Sequence, residues 1–200
     1  MLTYWYMYLM PFLAAISPLK LQSTAKLFFL GLFGVTVALF IGLRHEVGND
    51  WFHYLDYYDL FLNSNLYDVF KIQTHYGLEP GYTLLNWVSG QLNIGIYGVN
   101  LFCSAIFMYG LIYFCKSQPY PWVSLGIAIP FIGIVTAMGA TRQATAIGII
   151  YIAIASFNKK GSKTKYIALI CLAMIFHKSA IIMIPFVFLL KSKKTPWLLI

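Results

Sequence analysis

Six apolar runs, at residues 2–17, 27–43, 99–115, 122–138, 144–157 and 166–190, occupy more than half of this chain. A run of 17 residues such as 27–43 reaches about 26 Å as an α-helix, enough to cross a bilayer core with little tilt. In lipid the backbone meets no water, so a spanning segment has to satisfy its own N–H and C=O groups, as a helix does. Only 10% of the residues are charged and 60% are hydrophobic, whereas a soluble domain usually carries about 25% charged residues. Such a chain cannot cover its surface with polar groups, so that surface faces lipid. The expected fold class is all-α: one polytopic transmembrane helical bundle over residues 1–200. Its outer loop would span 44–98 and carry an amphipathic outer-face helix, and other helices would be re-entrant or broken.

The charges are sorted by type. All six carboxylates lie between Glu46 and Glu79, and the only two arginines are Arg44 and Arg142. The lysines mostly cluster between apolar runs. An excess of lysine in such loops marks the cytoplasmic side of a membrane protein. No basic stripe interleaved with aromatics appears, so no nucleic-acid partner is expected. Lys20 and Lys26 place the first turn inside, which puts the acidic stretch outside. Lys116 also belongs inside, so an odd number of crossings must separate it from residue 43, and the run 99–115 supplies one. The weaker stretch 82–92 holds Asn86, Ser89, Gly90 and Gln91 and is too short and polar for an ordinary span. It is read as an interfacial or re-entrant helix.

The run 122–138 then goes outward, so Arg142 emerges outside, and 144–157 returns to Lys159, Lys160, Lys163 and Lys165. Lys191, Lys193 and Lys194 also belong inside. The run 166–190 is interrupted at Phe176-His177-Lys178-Ser179. It is read as two short helices dipping in from the outer tip, with a single tilted span kinked at Pro185 as the competitor. Residues 50–70 have helical periodicity, with Trp51, Leu55, Tyr58 and Leu62 on one face. Asp56, Asp59 and Asn63 lie opposite, and Asp50, Tyr54 and Tyr57 form a third stripe. This reads as a helix lying apolar face down on the outer membrane surface, weakened or ended at Asn63-Ser64-Asn65. Cys103, Cys115 and Cys171 have no metal-ligand spacing and read as small hydrophobes. The run 2–17 reads as a short first span.

Four constellations could carry chemistry. The first is Arg44-His45-Glu46-Val47-Gly48-Asn49-Asp50. Arginine presents a planar fork that pairs with phosphate or carboxylate at two points. Asp50 could hold that arginine or accept a proton from a substrate hydroxyl. The plainer reading is a snorkelling arginine with Asp50 as a helix cap. The second is Leu78-Glu79-Pro80-Gly81-Tyr82, either a helix start favoured by proline and an acid or a carboxylate aimed into the outer cavity. The third is Thr141-Arg142-Gln143. The helix dipole opposes an arginine at a helix start, so a partner anion is expected there, shared with Arg44 or supplied by lipid phosphate. The fourth is His177 with Lys178 and Ser179 inside an apolar segment, where an ionisable residue is a functional candidate. The histidines show no metal spacing, and no nucleotide loop or protease motif is present, so no metal and no cofactor are expected.

In this order Arg44…Val47-Gly48-Asn49-Asp50…Tyr54, Glu79-Pro80-Gly81-Tyr82, Arg142-Gln143 and Phe176-His177-Lys178-Ser179-Ala180 resemble the EpsG-type family of bacterial polysaccharide polymerases. That family is related in role to the Wzy O-antigen polymerases. The resemblance implies a multi-pass protein of the bacterial cytoplasmic membrane with its active site on the outer face. It implies a glycosyltransferase that uses no nucleotide sugar and joins oligosaccharide repeat units carried on undecaprenyl diphosphate. The products would be exopolysaccharide, capsule or O-antigen. Membrane lipids and other polysaccharide-assembly proteins are the further partners expected. Members of that family are longer than this chain, and 194–200 reads as the start of another span, so an N-terminal portion of a longer protein is expected.

The site would comprise Asp50, Glu79 and His177 as catalytic groups, with Arg44 and Arg142 clamping the diphosphate. Tyr54, Tyr82, Gln143 and Lys178 would contact substrate. A transporter or flippase for lipid-linked glycans is the alternative, as is a membrane acyltransferase built on His177. An assembly subunit is a third.

Overall fold

The computed structural model describes residues 2–18, 22–62 and 64–189. Lys20, Asn63, Lys191, Lys193 and Lys194, which entered the reading of sidedness and helix ends, lie outside the described residues, as does the stretch 194–200. The described residues are helical, with no strand, in agreement with the expected class. In chain order the helices are α1 (Leu2–Ile16), α2 (Ser23–Gly42), α3 (Trp51–Leu62), α4 (Leu66–Tyr76), α5 (Pro80–Gln91) and α6 (Gly95–Cys115). Then come α7 (Pro121–Ala128), a π-helical stretch (Ile129–Thr136), the short α8 (Ala137–Gly139), α9 (Thr141–Lys160) and α10 (Lys163–Phe176). Two 3₁₀ turns, Lys178–Met183 and Pro185–Phe188, follow.

Three of the described helices are long and apolar enough to cross a membrane: Ser23–Gly42, Gly95–Cys115 and Pro121–Gly139. The protein is a membrane protein by this measure. The third owes its shape to Pro130, which has no N–H to give the ladder. From Ile129 the backbone winds more widely, and Thr136 Oγ1 donates back to the Phe131 carbonyl at 3.3 Å.

Helix α6 is the central post. Its Phe107 and Leu111 share a core with Met7 of α1, Phe33 and Val37 of α2, and Leu125 of α7. Ser104 Oγ donates to the Ala38 carbonyl of α2 at 2.8 Å, a bond that lipid cannot replace. Against α9 the two backbones touch. A Cβ on Gly110 would overlap the Gly148 carbonyl, and one on Gly148 would sit 2.6 Å from the Phe107 Cα. Close approach of this kind trades side-chain volume for dense backbone packing, the usual route to helix association in lipid.

Helix α3 buries Trp51, Tyr54, Tyr58 and Phe61, while Leu62 is exposed. The sequence reading had Leu55 and Leu62 in the apolar stripe and Tyr54 outside it. That face is corrected, because α3 docks on protein: Trp51, Tyr54 and Tyr58 pack with Tyr82 of α5 and Ile96, Val99 and Cys103 of α6. Asp56 and Asp59 remain exposed. Asn65 caps α4 by accepting from the Asp68 amide at 3.0 Å. Helix α5 has 12 residues, about 18 Å of length, and its Thr83, Asn86 and Ser89 are buried.

At His177 the chain leaves α10 in extended conformation, φ −156° and ψ 115°. It then reverses, so that the Tyr166 hydroxyl near the start of α10 donates to the Met183 carbonyl at 2.8 Å. Val187 joins the same cluster as Tyr166 and Ile170. The break therefore lies at 177, and Pro185 opens the second 3₁₀ turn, so the single span kinked at Pro185 is set aside.

The α6–α9 crossing can be tested by adding one carbon. Gly110→Ala has to push two backbones apart and is expected to destabilise the protein by about 1–3 kcal/mol. Gly31→Ala on α2, where a Cβ would meet nothing within 4 Å, serves as the neutral partner. Thermal unfolding in detergent should separate the two, and equal melting temperatures would refute the close crossing.

Candidate active site

At the end of the bundle where α2 stops and α9 starts, three elements meet around Glu79. It precedes Pro80 at the start of α5 and is 6% exposed. Its Oε2 accepts from Arg142 Nη1 at 2.6 Å, and its Oε1 stands 3.6 Å from His177 Nδ1. One carboxylate thus joins the first turn of α9 to the end of α10. The dipole of α9 disfavours a cation at position 142. Glu79 offsets that cost: a carboxylate of the chain itself pairs with Arg142, and Arg44 does not share it. Burial pulls the Arg142 guanidinium down, but the Glu79 carboxylate and the Tyr54 hydroxyl outweigh it and hold it above its ordinary value.

Arg142 is also ringed by aromatics. Its guanidinium carbon lies 5.8 Å from the Tyr54 ring centre, 5.6 Å from Tyr57 and 5.9 Å from Tyr82. Such faces stabilise a cation without neutralising it. Burial pushes the Tyr54 hydroxyl above its ordinary value despite Arg142. Among the described residues, two buried nitrogens of this cluster make no hydrogen bond: Arg142 Nε, and His177 Nδ1, which faces Glu79 Oε1 beyond hydrogen-bond distance at 3.6 Å. Buried polar atoms are rarely left so, and both are suited to an incoming oxygen acceptor.

Arg44 is placed differently from expectation. It is buried, and its fork is spent on the protein. Nη1 donates to the Ile41 carbonyl at 2.8 Å, Nε to Val47 at 3.2 Å, and Nη2 to Thr141 Oγ1 at 2.5 Å. Its carbon is 5.9 Å from the Trp51 ring centre, and burial lowers it from its ordinary value. Among the described residues no carboxylate pairs with it, so of the two roles open to Asp50, holding Arg44 is set aside. The loop turns instead at Gly48, φ +104°, where a Cβ would overlap the Met138 carbonyl, so the turn points the arginine back into the bundle.

Asp50 is half-buried at the start of α3, with its carbonyl accepting from the Tyr54 amide at 3.0 Å. Lys178 gives its ammonium to the Gly77 carbonyl at 2.6 Å, which holds the loop before Glu79. Gln143 is exposed. The structure therefore brings together Glu79, Arg142, His177, Tyr54 and Tyr82, keeps Lys178 beside them, and sets Arg44 one layer back as a brace.

One residue was missed: Asn100, 3.4 Å from the Thr141 hydroxyl that Arg44 holds. Tyr57, which periodicity placed in one stripe with Asp50 and Tyr54, faces the same Arg142 guanidinium. An asparagine inside the apolar run 99–115 was a readable signal. The Tyr57 contact depends on how α3 docks, which periodicity does not fix.

Helices and site together define a polytopic membrane protein with a buried ionic cluster at one end of its bundle. The EpsG family model matches residues 27–200, and the chain belongs to the EpsG family. No curated protein and no solved structure matches it. Family membership brings with it a role related to polysaccharide polymerases.

Removing one partner of a buried pair strands the other charge. Glu79→Leu and Arg142→Met should each destabilise the protein, and the double variant should cost less than their sum by about 1–3 kcal/mol. Unfolding of the four proteins in detergent measures that coupling, and additive costs would show that the pair does not act as a unit.

Proposed function

We propose that this chain polymerises oligosaccharide repeat units carried on undecaprenyl diphosphate, on the outer face of the bacterial cytoplasmic membrane. It would do so without a nucleotide-sugar donor and alongside other polysaccharide-assembly proteins. Family membership supports the coarse role. The observation that carries the finer reading is the Arg142–Glu79 contact, with donor capacity left over on Arg142 Nε and His177 Nδ1.

The donor diphosphate competes with Glu79 for Arg142. When its oxygens take the guanidinium, the carboxylate is released beside the acceptor sugar. Glu79 then accepts the proton of the acceptor hydroxyl as that oxygen bonds the anomeric carbon. The bond from that carbon to the diphosphate oxygen breaks, and the electron pair leaves with the lipid diphosphate. Arg142 stabilises the growing charge, and His177 hydrogen-bonds the diphosphate or the acceptor. Asp50, one turn before Tyr54 at the start of α3, is the second candidate base. Tyr57, half-buried beside Arg142, would stack on a sugar ring, and Tyr54 and Tyr82, buried behind it, fix the position of the guanidinium. Arg44 acts through position: its bond to Thr141 sets the residue next to Arg142. Gln143 and Lys178 lie at the rim, within reach of a long glycan.

The test is the purified full chain with a lipid-diphosphate glycan. Longer glycans and released lipid diphosphate are expected. Arg142→Lys keeps the charge and loses the fork, and should slow product formation by about 10- to 100-fold, with Glu79→Gln slowed at least as far. Wild-type rates in Arg142→Lys would end the diphosphate role. Movement of unextended glycan across vesicles, with no longer products, would make the protein a carrier instead.

A further inference from the structure

The opposite end of the bundle has its own concave site. Where α1 ends, α2 and α7 begin and α6 stops, the helices enclose a cavity of about 700 Å³, within the range of small-ligand sites. Its walls are apolar, with Ala14 of α1, Leu27 and Leu30 of α2, and Val123 of α7. Lys26 and Lys116 line it as well, together with Trp122.

Both lysines are exposed, and neither makes an ion pair among the described residues. Every carboxylate of the chain lies between Glu46 and Glu79, and none lines this cavity. Helices α2 and α7 both start here, and among the described residues their N-cap residues Gln22 and Tyr120 give no side-chain cap, so the helix starts add positive potential to that of the lysines. The cavity is thus cationic at its polar part and oily along its walls. Leu13, Leu27 and Phe28 are exposed on the helices beside it, as expected where a protein surface meets acyl chains.

We propose that this cavity holds one anionic phospholipid of the leaflet at the lysine end. Lys26 and Lys116 take the phosphate, and the acyl chains lie along α1 and α2. A soluble phosphate compound would leave the apolar walls wet. A zwitterionic lipid would set its own ammonium against two lysines. The site is independent of the polymerase reading, since a chain that makes no polymer can still select the lipid.

Trp122 in the cavity wall provides the readout. The full chain is placed in phosphatidylcholine nanodiscs containing equal amounts of either brominated phosphatidylglycerol or brominated phosphatidylcholine. The Trp122 signal is isolated by difference from Trp122→Phe. Brominated phosphatidylglycerol should quench Trp122 several-fold more than its zwitterionic counterpart. Lys26→Ala with Lys116→Ala should abolish that preference, each lysine contributing roughly fivefold. Equal quenching by the two lipids overturns the proposal, and so does quenching by neither, which would mean that protein fills the cavity. Both lipids are compared on the same wild-type protein, so a double variant that fails to fold leaves the first comparison standing. The glycan assay on Lys26→Ala with Lys116→Ala separates this site from the ionic cluster, because normal polymerisation with lost lipid selectivity assigns the two ends different tasks.

Discussion

The contact between Glu79 and Arg142 is the constraint on which the arginine end of the bundle depends. An arginine in the first turn of a helix faces the positive end of the dipole, and burial makes the mismatch more costly. The carboxylate that answers it comes from 63 residues earlier. To reach it, α4 must end in a left-handed glycine at 77, φ +61°, and α5 must begin at Pro80, whose missing N–H costs a helix start nothing. Lys178 then fixes the Gly77 carbonyl from the far side. The connection between α4 and α5 is therefore held at both ends by cations, and Glu79 is its fixed point. An ion pair of this kind is weak evidence for stability by itself. Its interest lies in the proposed function, in which an anionic substrate would exchange with it.

The two arginines show how environment divides one chemistry. Arg44 donates to three neutral oxygens and has no carboxylate near it among the described residues, so it contributes geometry to the site. It joins the end of α2 to the start of α9 across 97 residues of sequence, and through Thr141 it sets the direction from which Arg142 leaves its helix. Arg142 has a charged partner, three aromatic faces and an unused nitrogen. All three nitrogens of Arg44 are engaged by the protein, whereas Nε of Arg142 makes no hydrogen bond among the described residues.

Much of this was legible in the sequence because the membrane enforces it. Apolar runs became helices because lipid offers the backbone no other partner, and the interruption at 176–179 marked where α10 stops. The gathering of acids pointed to one end of the bundle. Three things were not legible. The face of α3 that is buried depends on docking against α5 and α6, so Tyr54 and Phe61 turned inward where a membrane-surface helix would have used Leu62. The partners of Arg44 are backbone carbonyls, which no residue pattern encodes. The π-helical winding after Pro130 preserves the apolar character of its run, so hydropathy cannot distinguish it from a regular span. Each of these depends on contacts between distant elements, while periodicity reports only on neighbours.

The same two helices carry both ends of the molecule. Helix α2 runs from Lys26 to the turn that bears Arg44, and α6 from Asn100 beside the arginine network to Lys116 at its other end. The choice of cation at each end follows from how it is held. A guanidinium can be buried when its planar fork meets fixed acceptors, here those of Ile41 and Thr141 at helix ends and of Val47 in the turn between α2 and α3. An ammonium on a flexible stem is strongly hydrated, and it suits a mobile phosphate better than a rigid socket. Arg44 thus stands where the protein must hold its own shape around a charge, whereas Lys26 and Lys116 stay exposed at the other end of the bundle. On that division, exchanging the two residue types should damage the arginine end far more than the lysine end, because only the former relies on the direction of its hydrogen bonds.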